Sequence, residues 1–296
     1  MRSKYVRLLR PIAWITFLLP FSVGLGLGIT PDSNLLHIIF AFIAFSCWMS
    51  FSFIVNSIAD KDVDKLHNGR SKDMNLAYQP IATSEITEKE ALYLSMIFLF
   101  SSLFFAWLIN PLFFLLILIV DGVGYIYSMP PTRLKARPIG DILCNTAAGG
   151  LIFIAGLSIG GANMFPLVIL GAFVMTSIFY IPTVVTDHEF DKKAGITTSA
   201  VYFSPKKILQ AMYPLTALLV IIALIILLTS NLELKVFASI VIIYTIPSTL
   251  VVNMNLKEER LFIHKNWILV PFTLISIASV GYGILKLFGL LILNSY

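Results

Sequence analysis

Residues 35–64 read LLHIIFAFIAFSCWMSFSFIVNSIADKDVD, a long apolar run that leads directly into acidic residues. The apolar part, Leu35–Ser57, is long enough to cross the hydrocarbon core of a bilayer as a helix. Three polar residues, Asn56, Asp60 and Asp64, follow one another at a spacing of four across its end. This segment therefore predicts a membrane-spanning helix that carries a chemical site where it leaves the membrane.

The same apolar pattern recurs along the rest of the chain. Of 296 residues, 58% are hydrophobic and 12% are charged, and the mean hydropathy is +0.89, which excludes an ordinary soluble domain. No linker rich in Ser, Gly or Pro divides the sequence, so we expect residues 1–296 to form a single all-α domain, a polytopic membrane bundle of about nine helices. The candidate spans are Pro11–Thr30, Leu35–Ser57, Ala91–Ile109, Leu112–Tyr127, Ile139–Ile159, Phe165–Val185, Leu209–Thr229, Leu234–Val252 and Trp267–Leu290.

The positions of the basic residues predict how the bundle lies in the bilayer. If the N-terminus is cytoplasmic, every Lys and Arg except Lys235 and Lys286 falls in a cytoplasmic segment, which accounts for 19 of the 21. This asymmetry fits the positive-inside rule. The net charge of +5 thus reflects topology, and no motif indicates a nucleic-acid partner. The cytoplasmic segments are 1–10, 58–90, 128–138, 186–208 and 253–266.

The first acidic cluster places oxygen ligands on one helix face. Residues four apart lie about one turn above each other, so Asn56, Asp60 and Asp64 share a side. An amide oxygen can bind a metal without adding charge, which suits Asn56 as the deepest of the three. The alternative is an ordinary helix end whose solvated charges are balanced by Lys61 and Lys65.

A second cluster, Asp187-x-x-x-Asp191, has the same spacing and also falls in a cytoplasmic segment. Lys192 follows directly and is a candidate phosphate contact, Gly195 predicts a helix stop, and His188 is interpreted as an interface residue. Two anionic clusters on one side of an apolar bundle need a compensating cation. Mg²⁺ with a polyphosphate fits, because Mg²⁺ takes a few carboxylates and completes its shell with phosphate and water oxygens.

A basic loop lies between the two clusters. Arg133, Lys135 and Arg137 follow the Pro130-Pro131 pair, and arginine forks and lysine ammonium groups are typical phosphate ligands. Attraction to anionic lipid head groups is the alternative. Asp141 and Asn145 begin the next helix at a spacing of four, where they either line the cavity or pair with these cations.

With these motifs the chain resembles the UbiA superfamily of intramembrane prenyltransferases. The N-x-x-x-D-x-x-x-D motif, the D-x-x-x-D motif with its basic residue and glycine, and the start Leu9-Arg10-Pro11 all match that family. The resemblance implies a helical bundle around a central cavity, where two Mg²⁺ ions hold an isoprenyl diphosphate whose prenyl group passes to a hydrophobic acceptor. It implies metal binding by Asn56, Asp60, Asp64, Asp187 and Asp191, catalysis by the four aspartates with Tyr127 steadying the loop or the cation, and substrate contacts from Asn56, Arg133, Lys135, Arg137, Asp141, Asn145 and Lys192.

The chain departs from the family pattern after the first motif. Many members carry Asn-Arg-Pro where this chain reads Tyr78-Gln79-Pro80, so the arginine contact is either missing or supplied by Arg70. The string Tyr-Ser-x-Pro-Pro-x-Arg-Leu-Lys, residues 127–135, is similar to chlorophyll synthases and lycopene elongases. The expected acceptor is therefore a carotenoid-like polyene, otherwise a quinone precursor, a chlorin or a lipid.

One function from another class remains open at the level of sequence. A secondary transporter could use carboxylates for cation or proton coupling, but its site is expected near the bilayer midplane. Asp121 is an acid inside a predicted span, and such residues are functional candidates by default. The other acids of interest lie at one membrane face, which favours the prenyltransferase.

Overall fold

A computed structural model describes residues 3–67, 79–161, 165–254 and 258–290, with the side chains of 66–67 and 258–270 left out. Arg70 and Tyr78, considered above, lie outside these residues. The described chain is built from helices: α1 Lys4–Leu9, α2 Ile15–Gly28, α3 Leu35–Ala59, α4 Lys61–His67, α5 Glu88–Trp107, α6 Pro111–Ser128, α7 Gly140–Leu157, α8 Pro166–Lys193, α9 Ser199–Phe203, α10 Pro205–Gln210, α11 Met212–Thr229, α12 Leu232–Met254 and α13 Glu258–Leu287. Short 3₁₀ helices cover Pro11–Trp14 and Leu134–Ala136.

The prediction of an all-α membrane bundle is confirmed. Among the described residues, eight helical stretches are long and apolar enough to cross a membrane. The expected ninth span, Trp267–Leu290, overlaps α13, whose apolar part Pro271–Leu287 is shorter than the other eight. The count of nine was therefore approximate.

Side-chain caps begin several of these helices. Asn34 accepts a hydrogen bond from Leu36 N, and Asn110 accepts one from Phe113 N at 2.7 Å. Thr87 caps α5 in the same way, because its hydroxyl accepts from Glu90 N. Each cap satisfies a backbone donor that has no partner within its own helix. Short polar loops are therefore enough to begin these helices.

Glycines bring α2 and α7 into backbone contact. A Cβ atom on Gly24 would lie 2.1 Å from the Phe153 carbonyl oxygen, and one on Gly28 would lie 2.4 Å from that of Leu157. No side chain fits at such distances, so these two positions require glycine. Small residues at crossing points are a common feature of helix packing in membranes.

The outer surface of the bundle is strongly apolar. Leu228 is 83% exposed and Ile243 is 73% exposed, and similar large side chains cover the outward faces of most spans. Apolar surface of this extent is costly in water and suits contact with lipid tails. The chain is therefore an integral membrane protein.

Candidate active site

A cavity of about 1160 Å³ runs through the bundle. On α8 its lining extends from Val168 to Asp191, a helix length of about 35 Å at 1.5 Å per residue. We call the end that holds the two acidic clusters the motif end and the opposite end the far end. Polar side chains line the motif end, whereas the walls toward the far end are apolar.

The first cluster spans a break between two helices. Asn56 lies in the last turn of α3, Asp60 follows its final residue, and Asp64 belongs to α4. The expected single helix is therefore interrupted at Asp60. The hydrogen-bond register survives, since Asp60 N donates to Asn56 O at 2.9 Å and Asp64 N donates to Asp60 O at 2.7 Å. All three side chains consequently line the cavity.

The basic loop folds onto this cluster. Lys135 Nζ donates to Asn56 Oδ1 at 2.8 Å and forms an ion pair with Asp60, and its side chain is 9% exposed. Arg133 Nη2 lies 3.1 Å from Asp60 Oδ1. Burial lowers the pKa of Lys135, and the attraction of Asp60 opposes that change. Two cations thus meet one carboxylate at the motif end.

Arg10 is a site residue that the motif analysis did not identify. Its guanidinium lies 3.4 Å from Asp64 Oδ2, and its side chain lines the cavity beside Phe53. Burial raises the pKa of Asp64 to about 6, and the positive charge of Arg10 is the main opposing influence. The Leu9-Arg10-Pro11 string carried the signal for this residue, but its partner is 54 positions away.

The second cluster lies on the cavity-facing side of α8. Asp187 and Asp191 line the motif end together with Phe190. The helix ends at Lys193, and Gly195 follows with a φ of +71°, so the predicted stop is confirmed. Described side chains of both clusters therefore face one chamber.

Several predicted residues have their polar groups engaged within the protein. Tyr127 and Tyr180 share a hydrogen bond of 2.9 Å between their hydroxyl oxygens. Asp141 accepts hydrogen bonds from the backbone and hydroxyl of Ser199 and from Ile142 N, which ties the start of α7 to the start of α9. Asn145 donates to the carbonyl of Asp141, and all three predicted residues line the cavity.

Three predicted phosphate contacts do not line the cavity: Arg133, which reaches Asp60, and Arg137 and Lys192. Arg137 Nη2 donates to the Pro131 carbonyl at 3.1 Å on the exposed side of the loop. Lys192 is exposed and does not line the cavity, because it lies about 100° around α8 from Asp191. His188 also lies outside the lining and pairs with Glu189 at 3.3 Å.

Asp121 does not belong to the site. It is buried, accepts a hydrogen bond of 2.9 Å from Ser102, and is absent from the cavity lining. The acid on which a transport site at the midplane would depend is thus separated from the chamber. The transporter alternative loses its structural basis.

The chemistry of the donor set fits Mg²⁺. The candidate ligands at the motif end are carboxylate and amide oxygens, which hard cations prefer. Within the described part of the chain, no three His, Cys, Asp or Glu side chains are grouped closely enough to hold an ion by themselves. Mg²⁺ is commonly bound by one or two carboxylates and completed by phosphate oxygens and water, so this sparse set suits a metal that arrives with a diphosphate.

Together, the bundle and the paired acidic clusters have the arrangement expected of an intramembrane enzyme. The profile of the UbiA prenyltransferase family matches residues 17–267, so the chain belongs to this family and is a prenyltransferase. No curated protein sequence matched the chain.

Solved structures agree. A UbiA homolog from Archaeoglobus fulgidus bound to DMAPP and Mg²⁺ is 45% identical, with a TM-score of 0.91 over 96% of this chain and 99% of that one. The same homolog bound to GPP and Mg²⁺ gives 44% and 0.90 over the same shares. A UbiA homolog from Aeropyrum pernix is 20% identical, with a TM-score of 0.65 over 95% of this chain and 99% of that one, and shows the shared fold alone.

Proposed function

We propose that this enzyme transfers a prenyl group from an isoprenyl diphosphate to a hydrophobic acceptor inside the membrane, with Mg²⁺ and with release of diphosphate. The observation that carries the proposal is the convergence of Asp60, Asp64, Asp187 and Asp191 on the motif end of one apolar chamber. The DMAPP and GPP complexes of the homolog from Archaeoglobus fulgidus support the same class of donor here.

The side chains suit this reaction. Asn56, Asp60 and Asp64 would hold one Mg²⁺, and Asp187 and Asp191 a second. Bound Mg²⁺ neutralises the diphosphate as the carbon–oxygen bond breaks and its electron pair leaves with oxygen. Lys135 and Arg10, both in the lining, add positive charge beside the same oxygens. Arg133 does not line the cavity but contacts Asp60 and so positions that carboxylate.

The apolar part of the chamber suits an allylic cation. Aromatic rings at Phe179, Tyr180, Tyr244 and Phe272 line its walls. A dry wall keeps water from capturing the cation before the acceptor attacks it, and ring faces stabilise positive charge. The acceptor supplies the electron pair for the new bond and afterwards loses a proton.

The acceptor we propose is a carotenoid-like polyene. The loop resemblance at residues 127–135 favours it over a quinone precursor, a chlorin or a lipid, and the chamber volume leaves room for a large partner beside the donor chain. We further propose that the motif end faces the cytoplasm, in keeping with the distribution of Lys and Arg.

The test uses full-length protein in liposomes with labelled prenyl diphosphates, Mg²⁺ and extracted lipids, followed by mass analysis of the product. Asp60→Ala and Asp191→Ala should each abolish Mg²⁺-dependent diphosphate release. Asp62→Ala is the matched control, because Asp62 is 89% exposed and pairs with Lys65 instead of lining the cavity. Unimpaired turnover in both cavity variants would defeat the proposal.

A further inference from the structure

The chamber has a defined floor at its far end. Apolar side chains from five helices, α2, α7, α8, α11 and α12, pack against one another there and also line the cavity. We call this group the floor: Leu27, Phe153, Val168, Ile226, Leu234 and Phe237. Beside it, the glycine contacts between α2 and α7 exclude side chains from the gap between those helices.

A polar cluster lies directly behind this floor. Lys286 Nζ, near the end of α13, is 2.9 Å from Glu233 Oε1 in the first turn of α12. It also lies 3.2 Å from the carbonyl oxygen of Leu27 and 3.4 Å from that of Gly26, in the last turn of α2. We call Lys286 and Glu233 the outer lock. Lys286 thus contacts the floor through its neighbours. Glu233 directly precedes the floor residue Leu234, and the Leu27 carbonyl belongs to a floor residue.

Lys286 donates to backbone carbonyls at the end of α2 and pairs with the Glu233 carboxylate at the start of α12. The last carbonyls of α2 lack amide donors, and a cation there also meets the negative end of the helix dipole. Glu233 lies at the positive end of α12. The lock is largely enclosed, with side-chain exposures of 15% for Lys286 and 19% for Glu233, and the Tyr282 ring covers the ammonium at 5.3 Å. The Tyr282 side chain also hydrogen-bonds to Glu233. Removing Glu233 would leave the Lys286 ammonium without a carboxylate in a poorly hydrated place, whereas removing Lys286 would leave Glu233 with Tyr282 as its partner.

Sequence topology makes this lysine unusual. Lys286 is one of two cations outside the segments where positive charge is expected, and it is the one whose ammonium joins three helix ends. No part of the prenyl-transfer chemistry uses it, because Asp60 and Asp191 lie at the opposite end of the chamber.

We propose that the outer lock is a specificity-determining element that fixes the position of the floor and thereby limits the length of prenyl chain the enzyme accepts. The inference rests on the proposed function, since it takes the apolar chamber as the site of the donor tail. Lys286 and Glu233 are positioning residues in this view, acting through Leu27 and Leu234. The diphosphate stays at the motif end, so each added five-carbon unit extends toward the floor.

The experiment measures apparent affinity by thermal stabilisation of the detergent-solubilised full chain with Mg²⁺ and prenyl diphosphates of 5, 10, 15 and 20 carbons. In the wild type, affinity should rise with prenyl chain length and then stop rising. We call the chain length at which the rise stops the length limit. Phe237→Ala deepens the floor without touching the lock, and Lys286→Met breaks the lock. Each should move the length limit by at least one unit and raise the affinity ratio of long to short chains about tenfold, which corresponds to about 1.4 kcal/mol.

Three further variants make the test specific. Lys286→Arg should retain the wild-type length limit, because it keeps a charged donor against the α2 carbonyls. The exchange Glu233→Lys with Lys286→Glu should not restore it, since a carboxylate cannot donate to those carbonyls. Ile243→Ala is the matched control on the lipid-facing side of α12. Micelle partitioning of long chains cancels because every variant is compared with the wild type.

The outcomes distinguish a wrong role for the floor from a wrong proposed function. A shifted length limit in Phe237→Ala and Lys286→Met, with Ile243→Ala unchanged, supports the inference. An unchanged length limit in Phe237→Ala overturns it even if Lys286→Met fails to fold. Absence of stabilisation by every prenyl diphosphate in the wild type overturns the proposed function itself.

Discussion

The hydroxyl oxygens of Tyr127 and Tyr180 lie 2.9 Å apart and join α6 to α8 at the wall of the chamber. The bond ties the helix that precedes the basic loop to the helix that carries the second acidic cluster. It therefore connects the two parts of the site that come from different regions of the chain.

Replacing Tyr127 separates the role of its hydroxyl from that of its ring. Tyr127→Phe should cost about 1 kcal/mol of stability, the usual net value of one hydrogen bond, and keep most activity. Tyr127→Ala should lose turnover far more strongly if the ring faces the allylic cation. Thermal unfolding and steady-state kinetics on both variants check this, with Tyr180→Phe as the matched partner. Equal activity in the Phe and Ala variants would remove the ring from the mechanism.

Lys135 should be essential for binding the diphosphate. Lys135→Met removes the buried ammonium between Asn56 and Asp60, and we expect kcat/KM to fall by about 10²- to 10³-fold, as for other losses of a charge-stabilising donor. Arg137→Ala, on the exposed side of the same loop, should leave kcat/KM within about twofold. Kinetics with varied prenyl diphosphate measures both. A large defect in Arg137→Ala would show that the loop closes differently over substrate.

Arg10 should set the acid limit of metal activation. Asp64 must lose its proton to bind Mg²⁺, burial raises its pKa to about 6, and Arg10 opposes that rise. Arg10→Gln should therefore raise the pKa further, so that the Mg²⁺ concentration for half-maximal activity increases below about pH 7 and changes less at pH 8. Mg²⁺ titrations across this range test the sign. A shift of the acid limit to lower pH would contradict it.

Asp141 should behave as a structural residue. Its carboxylate is held by Ser199 and Ile142, so Asp141→Ala leaves buried donors without partners at a cost of about 1–3 kcal/mol each. We expect a lower melting temperature with KM for the donor unchanged. Ser199→Ala should produce a smaller drop in the same direction. A raised KM at normal stability would instead assign Asp141 to the substrate.

The sequence predicted the spans and both acidic clusters well because these depend on local pattern. Apolar runs of membrane length and spacings of four translate directly into helices and helix faces. The break at Asp60 could not be predicted from spacing. The i to i−4 hydrogen bonds continue through it, so the spacing of four is the same as in an unbroken helix. Arg10 and Lys286 escaped because their partners, Asp64 and Glu233, lie 54 and 53 positions away, and only the folded bundle brings them together.

Arg137 and Lys192 illustrate the opposite case. Their positive charge beside the motifs predicted phosphate contacts, yet neither side chain lines the chamber. Lys192 lies outside the chamber because one residue of helix rotation separates it from Asp191. Arg137 lies outside because a hydrogen bond to the Pro131 carbonyl holds its guanidinium on the exposed side of the loop.

Because of the glycine contact between α2 and α7, one wall of the chamber tolerates redesign and another does not. Where two backbones touch, as at Gly24 and Phe153, there is no side-chain layer to trim or enlarge. Directed evolution toward new isoprenoid products should accordingly recover its beneficial changes on α11 and α12, whereas substitutions along the α2 glycines should surface in such libraries only as losses.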